Sequence, residues 1–237
     1  MNEPKLIRSH NKYCENVGNK NKPKIKECYF YKNNNFFKLD KFNKLKLVVM
    51  SDLHSLTSFI IDDLIKKKII DSNTIVITLG DMSGESKKIG GNGDPYDSYK
   101  KILENSNKFY FVQGNHDLSD DKFNLLKNDD LSPCMVDTIM IDTPIGKIAG
   151  INGIEVDENN INNNYHKYSS NEYNEKLHKI LELNPDIILS HQPITNINHS
   201  DYKIKYYFSG HYKINPFIQI NDNYALINVD NKILIFE

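Results

Sequence analysis

Short apolar runs closed by abrupt polar turns set the pattern of this chain, and the most regular of them is Leu45–Met50. Leu45, Leu47, Val48, Val49 and Met50 fill it almost continuously, which predicts a buried strand. Polarity returns at Ser51-Asp52-Leu53-His54. Asp52 and His54 stand two apart, so in extended backbone they project to the same side. Leu56, Phe59, Ile60, Leu64 and Ile65 then recur at helical intervals, with Asp62, Asp63 and three lysines between or after them, and predict a surface helix. The next run, Thr74–Leu79, is apolar throughout, as strands covered on both faces are, and ends in Gly80-Asp81. Strand, helix and strand imply a parallel pair with a right-handed crossover. Asp81 therefore belongs on the sheet edge that carries Asp52 and His54, the edge where α/β sheets bind ligands.

The pattern repeats. A polar loop, Ser83–Asp97, contains Gly84, Gly90, Gly91 and Gly93, and Lys87 and Lys88 make it a candidate phosphate cradle without Walker-type spacing. Pro95–Asn107 reads as a helix with Tyr99, Ile102 and Leu103 inward, followed by a strand, Lys108–Gln113, that closes on Gly114-Asn115-His116-Asp117. Asp121–Leu126 reads as a short helix. Thr138–Asp142 and Gly146–Asn152 read as strands about the turn at Thr143-Pro144, and their order suggests a second sheet of antiparallel hairpins. Residues 155–175 are asparagine-rich and read as a long loop, with His166 exposed. Glu172–Leu183 reads as a helix with Leu177, Ile180 and Leu181 inward and His178 outward. Two further strands, Asp186–Ser190 and Lys205–Ser209, end in His191-Gln192-Pro193 and Gly210-His211. Phe217–Ile220, Ala225–Val229 and Ile233–Phe236 are assigned to the second sheet.

Composition adds an address and an asymmetry. The 237 residues are 39% hydrophobic and 26% charged, enough apolar content for a real core in a soluble protein. No apolar run approaches the roughly 20 residues that span a bilayer, and the first residues lack a secretory signal's apolar stretch. Three scattered cysteines, Cys14, Cys28 and Cys134, argue for a reducing compartment, so the expected address is cytoplasmic. The net charge of −1 hides a basic arm: residues 1–44 carry a net +7, with Arg8 the chain's only arginine. Residues 1–25 show no usable periodicity and read as flexible or loosely packed. Glu27–Lys32 and Phe36–Leu39 flank three asparagines as a candidate hairpin, whose aromatics would pack on the main body. The expected organisation is a basic N-terminal extension over 1–44 and one domain over 45–237. His10, Cys14 and Cys28 match no paired-ligand spacing for zinc.

Asp-x-His, Gly-Asp, Gly-Asn-His-Asp, Ser-His-x-Pro and Gly-His, in that order and each at a strand end, resemble the calcineurin-like metallophosphoesterase superfamily over about residues 45–237. The resemblance implies an α/β fold, a four-layer β-sandwich of two mixed sheets flanked by helices. It implies two divalent ions (manganese, iron or zinc), the first held by Asp52, His54 and Asp81. Asp81, Asn115, His191 and His211 would hold the second, with Asp81 bridging. With a bridging hydroxide counted, about one positive charge remains to receive a phosphoryl oxygen, and an amide at 115 adds an oxygen ligand without neutralising it. His116 would protonate the leaving alkoxide with Asp117 orienting it; the alternative for His116 is a packing or hydrogen-bonding role. Asn115, His116 and Lys213 would meet the substrate.

Two departures shape the functional expectation. Many relatives close with a second histidine where this chain has Lys213, which weakens the first metal site or turns a cation toward the substrate phosphate. Protein serine/threonine phosphatases continue Gly-Asp with Asp-Arg-Gly, whereas Met82-Ser83-Gly84 follows here, without the arginine that grips a monoester. The expectation is a phosphodiesterase or broad phosphoesterase. A nuclease or RNA-processing enzyme using the basic arm, and a binding scaffold with weak turnover, are the alternatives. The expected partner is a phosphoester, with nucleic acid a second candidate and no membrane.

Overall fold

The computed structural model describes residues 5–15, 24–32, 45–83 and 92–237. The cradle expected around Gly84, Lys87, Lys88, Gly90 and Gly91, and the strand expected at Phe36–Leu39, lie outside those residues.

The first sheet is built from β1 (Lys5–Glu15), β2 (Lys24–Lys32), β3 (Lys46–Met50), β4 (Thr74–Leu79), β5 (Lys108–Val112) and β14 (Lys232–Phe236), in the order β1-β2-β14-β3-β4-β5. The second contains β6 (Met140–Thr143), β7 (Gly146–Ile151), β10 (Ile187–Ser190), β11 (Tyr206–Ser209), β12 (Ile218–Ile220) and β13 (Ala225–Asn228), in the order β12-β13-β11-β10-β7-β6. Both sheets are mixed. β3, β4 and β5 run parallel, as do β7, β10, β11 and β13, while β6 and β12 close the second sheet antiparallel. A small parallel pair, β8 (Ile154–Glu155) and β9 (Lys167–Tyr168), stands apart.

The period of two within the strands explains the layering. On β3, Leu47 and Val49 join Ile75, Ile77, Ile187, Leu189 and Phe208 in a core between the sheets. Val48 and Met50 point the other way, onto α1 (Thr57–Lys66) and α2 (Tyr96–Asn105), where Ile60, Ile61, Leu64, Tyr99 and Ile102 cover them. On the outer face of the second sheet, Ile151, Ile188 and Tyr207 pack against Tyr173, Leu177, Ile180 and Leu181 of α3 (Ser170–Glu182). Helices, sheet, sheet and helix make the four layers. Each large aliphatic so buried contributes about 1.5–3 kcal/mol, which is why these strands tolerate no polar alternation.

Four sequence readings are corrected. Phe59 is 63% exposed; the buried stripe of α1 is Thr57, Ile60, Ile61 and Leu64. Lys5–Glu15, read as loosely packed, is a strand paired antiparallel with β2. The strand at Ile233–Phe236 belongs to the first sheet, lying between β2 and β3, because Leu234 and Phe236 enter the inter-sheet core while Ile233 and Ile235 face the helix layer. His166 is buried at 4% exposure, wedged against Gly153 with its Nδ1 2.9 Å from the Tyr168 hydroxyl. Among the described residues no helix is long and apolar enough to cross a membrane.

Candidate metal centre

Five strand ends meet at one seam between the sheets. β3 delivers Asp52 and His54, β4 delivers Asp81 and β5 delivers Asn115 and His116; β10 and β11 bring His191 and His211 from the opposite sheet. The backbone reverses sharply as each strand ends. Asp52 donates its N–H to the Gly80 carbonyl at 3.0 Å, and His54 donates to the Asp81 carbonyl at 2.9 Å, so the first two turns brace each other. Gly80 adopts φ +92°, and a Cβ there would stand 2.3 Å from the Gly114 nitrogen. A Cβ on Gly210 would stand 2.6 Å from Asp52 Oδ2. These close approaches explain why glycine precedes the acidic or imidazole ligand candidate.

Asp81 is the hub. The ligand atoms of Asp52, Asp81, His191 and His211 all lie within 4.8 Å of one another. His191 Nε2 is 3.4 Å from Asp81 Oδ1, and His54 Nε2 is 3.8 Å from Asp81 Oδ2. Asn115 Oδ1 lies 3.1 Å from His191 Nε2, and His116 Nε2 lies 4.0 Å from Asp81 Oδ2. His191 places Nδ1 2.7 Å from the Leu79 carbonyl. A carbonyl only accepts, so Nδ1 carries the hydrogen and Nε2 is the nitrogen turned to the cluster, as metal-ligating histidines are held. The His211 N–H donates to Asp52 Oδ2 at 3.0 Å and locks the two ends together.

The electrostatics call for a cation. Burial raises the Asp52 carboxyl, and the Asp81 and Asp230 carboxylates add to the rise against the pull of His191. Burial would raise Asp81 too, but the charge and hydrogen bond of His191, with His54 and His116, overcome it and hold Asp81 ionised. Burial opposes the charge on His191, yet Asp81 outweighs it and lifts the imidazole to about 10. His211 is pushed down to about 3 by burial and the neighbouring His191. Without a metal, one imidazolium has to balance crowded carboxylates. Two buried carboxylates and convergent imidazoles form a mixed oxygen and nitrogen donor set that fits a divalent transition ion.

The calcineurin-like phosphoesterase family model matches residues 45–213. The chain belongs to that family. The crystal structure of TT1561 of Thermus thermophilus superimposes on this calcineurin-like phosphoesterase with a TM-score of 0.51 at 12% identity, over 79% of this chain and 90% of that one. At that identity the likeness speaks to the fold. No curated protein matches the chain.

One expected contact differs in this calcineurin-like phosphoesterase. Asp117, expected to orient His116, is fully buried beneath the cluster. Its Oδ2 accepts the N–H groups of Asp81 and Gly114 at 2.8 and 2.9 Å, and its Oδ1 accepts Met82 N–H at 3.0 Å and the Ser83 hydroxyl at 2.8 Å. It is thus a positioning residue that shapes two ligand turns. Asn92 Oδ1 sits 2.9 Å from His116 Nδ1 and takes the orienting place. Lys213 is exposed, and its charge is felt at Lys232, whose amine burial first and then Lys213 depress.

Sequence reasoning missed Asn92, Ser83, Asn228 and Lys26. Asn228 ends β13 and gives its amide N–H to the Gly210 carbonyl at 3.2 Å, while accepting Ile214 N–H at 3.3 Å, so it clamps the His211 turn. Its signal was present, a polar residue closing an apolar strand like the ligand candidates. Lys26, fully buried on β2, donates to the Asp52 carbonyl and, at 2.6 Å, to Asn231 Oδ1. Nothing in its sequence neighbourhood distinguishes it from the other lysines of the basic arm.

Proposed function

We propose that this chain is a phosphoester hydrolase, acting as a phosphodiesterase or broad phosphoesterase with two divalent ions (manganese, iron or zinc) held by Asp52, His54, Asp81, Asn115, His191 and His211. The observation that carries the reading is the convergence of Asp52, Asp81, His191 and His211 within 4.8 Å, from two sheets onto one carboxylate. When bound, such ions polarise a phosphoryl oxygen and make water a nucleophile near neutral pH. Asp81, central and ionised, is the residue suited to bridge them. Asn115 offers a neutral oxygen beside His191, which leaves positive charge for the substrate.

His116 supplies the proton. It is 25% exposed, so a substrate can reach it. Asn92 Oδ1 accepts from one ring nitrogen and leaves the other, 4.0 Å from Asp81 Oδ2, turned toward the centre. A positioned acid of this kind contributes on the order of 10²–10⁴ in rate. No arginine follows Asp81, and the residues beyond it are Met82 and Ser83, which weighs against dedicated monoester capture.

The test is hydrolysis of a chromogenic phosphomonoester and a phosphodiester with added manganese, with Asp81→Asn and His116→Ala in parallel. Asp81→Asn should lose both bound metal and activity. His116→Ala should keep its metal while kcat falls by about two orders of magnitude or more. Absence of turnover together with a blank metal analysis of the wild type would instead support the binding scaffold.

A further inference from the structure

A cavity of about 680 Å³ opens beside the cluster, within the size range of small-molecule sites. Glu155, Asp157, Glu158, Asn171, Gln192 and Tyr212 are among the residues that line it. Two of these adjoin the ligand candidates in sequence, Gln192 after His191 and Tyr212 after His211. The Tyr212 ring centroid is 4.1 Å from that of His211, and Gln192 Oε1 accepts the Glu155 N–H at 2.9 Å. The cavity wall is therefore tied directly to both strand ends from the second sheet. Gln192 and Tyr212, next in sequence to His191 and His211, set this space alongside the half of the centre that the second sheet supplies.

The geometry points to this cavity as the site for a positively charged ester substituent, an amine or quaternary ammonium group on a small phosphoester; the inference rests on the hydrolase reading above. Three carboxylates line the cavity and, among the described residues, no lysine or arginine does. One feature nearby favours anions, the N-terminus of α3, and it is already used. Ser169 Oγ accepts the Glu172 N–H at 3.3 Å, Glu172 returns a carboxylate to the Ser169 N–H at 3.4 Å, and the Ser170 hydroxyl donates to Glu155. Tyr212, 58% exposed, adds an aromatic surface of the kind that receives ammonium groups. A zwitterionic phosphoester matches the site at both ends, its phosphate toward the cations and its ammonium toward the carboxylates. A polynucleotide would instead set further phosphates against Glu155, Asp157 and Glu158.

The probes are p-nitrophenyl phosphorylcholine, which carries the cation, and bis(p-nitrophenyl) phosphate, which lacks it. Both are assayed with the full-length, manganese-loaded protein. The wild type should show the lower KM for the cationic probe, and that KM should rise with sodium chloride as the charges are screened. In an Asp157→Asn/Glu158→Gln variant, and separately in Tyr212→Ala, the KM of the cationic probe should rise about tenfold relative to that of the probe without the cation. Turnover of both probes with no preference, and with the KM ratio unmoved by the variants, overturns the cavity assignment while the hydrolase reading stands. Failure to turn over either probe, with no metal bound, overturns the hydrolase reading and this inference with it.

Discussion

Asp52, His54, Asp81 and His211 hold their backbones at φ of 58°, 51°, 53° and 61°. That left-handed region costs about 1–2 kcal/mol for most residues, although aspartate and histidine visit it more readily than others. The cost is tolerated because neighbours over-determine each turn, above all the buried Asp117 carboxylate with its grip on Asp81, Met82 and Gly114. His166 shares the conformation at φ 50° but has a different task, filling space beneath Gly153. Burial depresses its pKa to about 4 from the usual 6.5. As pH falls the unfolded chain therefore takes up the proton first. The folded state is unpenalised above pH 6.5 and loses stability from there down to about 4. The full loss is about 3 kcal/mol. Denaturant titrations of wild type and His166→Gln should change relative to each other by this amount across that window, and parallel curves would refute the burial argument. The ligand candidates are legible in the sequence because each closes an apolar run. His166 and Asn92 are not, since burial of the one and the imidazole contact of the other arise from segments brought together by the tertiary fold.

Among the elements, β2 carries most that the sequence conceals. A strand at Glu27–Lys32 is readable from its aromatics, but its neighbour in the sheet is not, because alternation reports which residues face inward and not which strand lies alongside. It pairs in parallel with β14, which in turn pairs antiparallel with β3. Tyr31 stacks on Phe236 at 5.4 Å, and Lys26 reaches across to the Asp52 carbonyl. The family match begins at residue 45, so this brace is added to the matched region from outside it. A buried lysine held this way is unavailable to a phosphate backbone, which separates at least this charge from the nucleic-acid reading of the arm. Replacing it strips the buried Asp52 carbonyl and the part-buried Asn231 side chain of a donor. Lys26→Met should lower the unfolding free energy by about 1–3 kcal/mol. It should also raise the manganese concentration needed for half-maximal activity, since the Asp52 turn is loosened. Equilibrium unfolding and metal titration read the two effects separately, and a variant unchanged in both would show that the brace carries no weight.

For the whole molecule, the centre is a rivet between sheets. Asp52, Asp81 and Asn115 belong to one sheet, His191 and His211 to the other, and the apolar core between them ends where these polar groups begin. An ion shared across the seam binds the folded state and not the unfolded chain, so it raises stability by mass action, by about 4 kcal/mol at a thousandfold excess over Kd. That gain is coupled to protons. In the metal-free protein His191 keeps its imidazolium up to about pH 10, held by Asp81, and burial with neighbouring carboxylates keeps a proton on Asp52 beyond the usual carboxylate range. Both groups must be deprotonated to ligate. Rising pH therefore removes a competitor, and metal affinity should climb by about tenfold per pH unit for each proton displaced. Thermal melts with and without manganese or zinc, taken from mildly acidic to mildly alkaline buffer, should show a metal-induced rise in Tm that widens with pH. Calorimetry in buffers of different ionisation enthalpy should find protons released on binding. A Tm gain that is flat across that range, with no proton release, would mean the ion sits elsewhere and that the two sheets are closed by their apolar core alone.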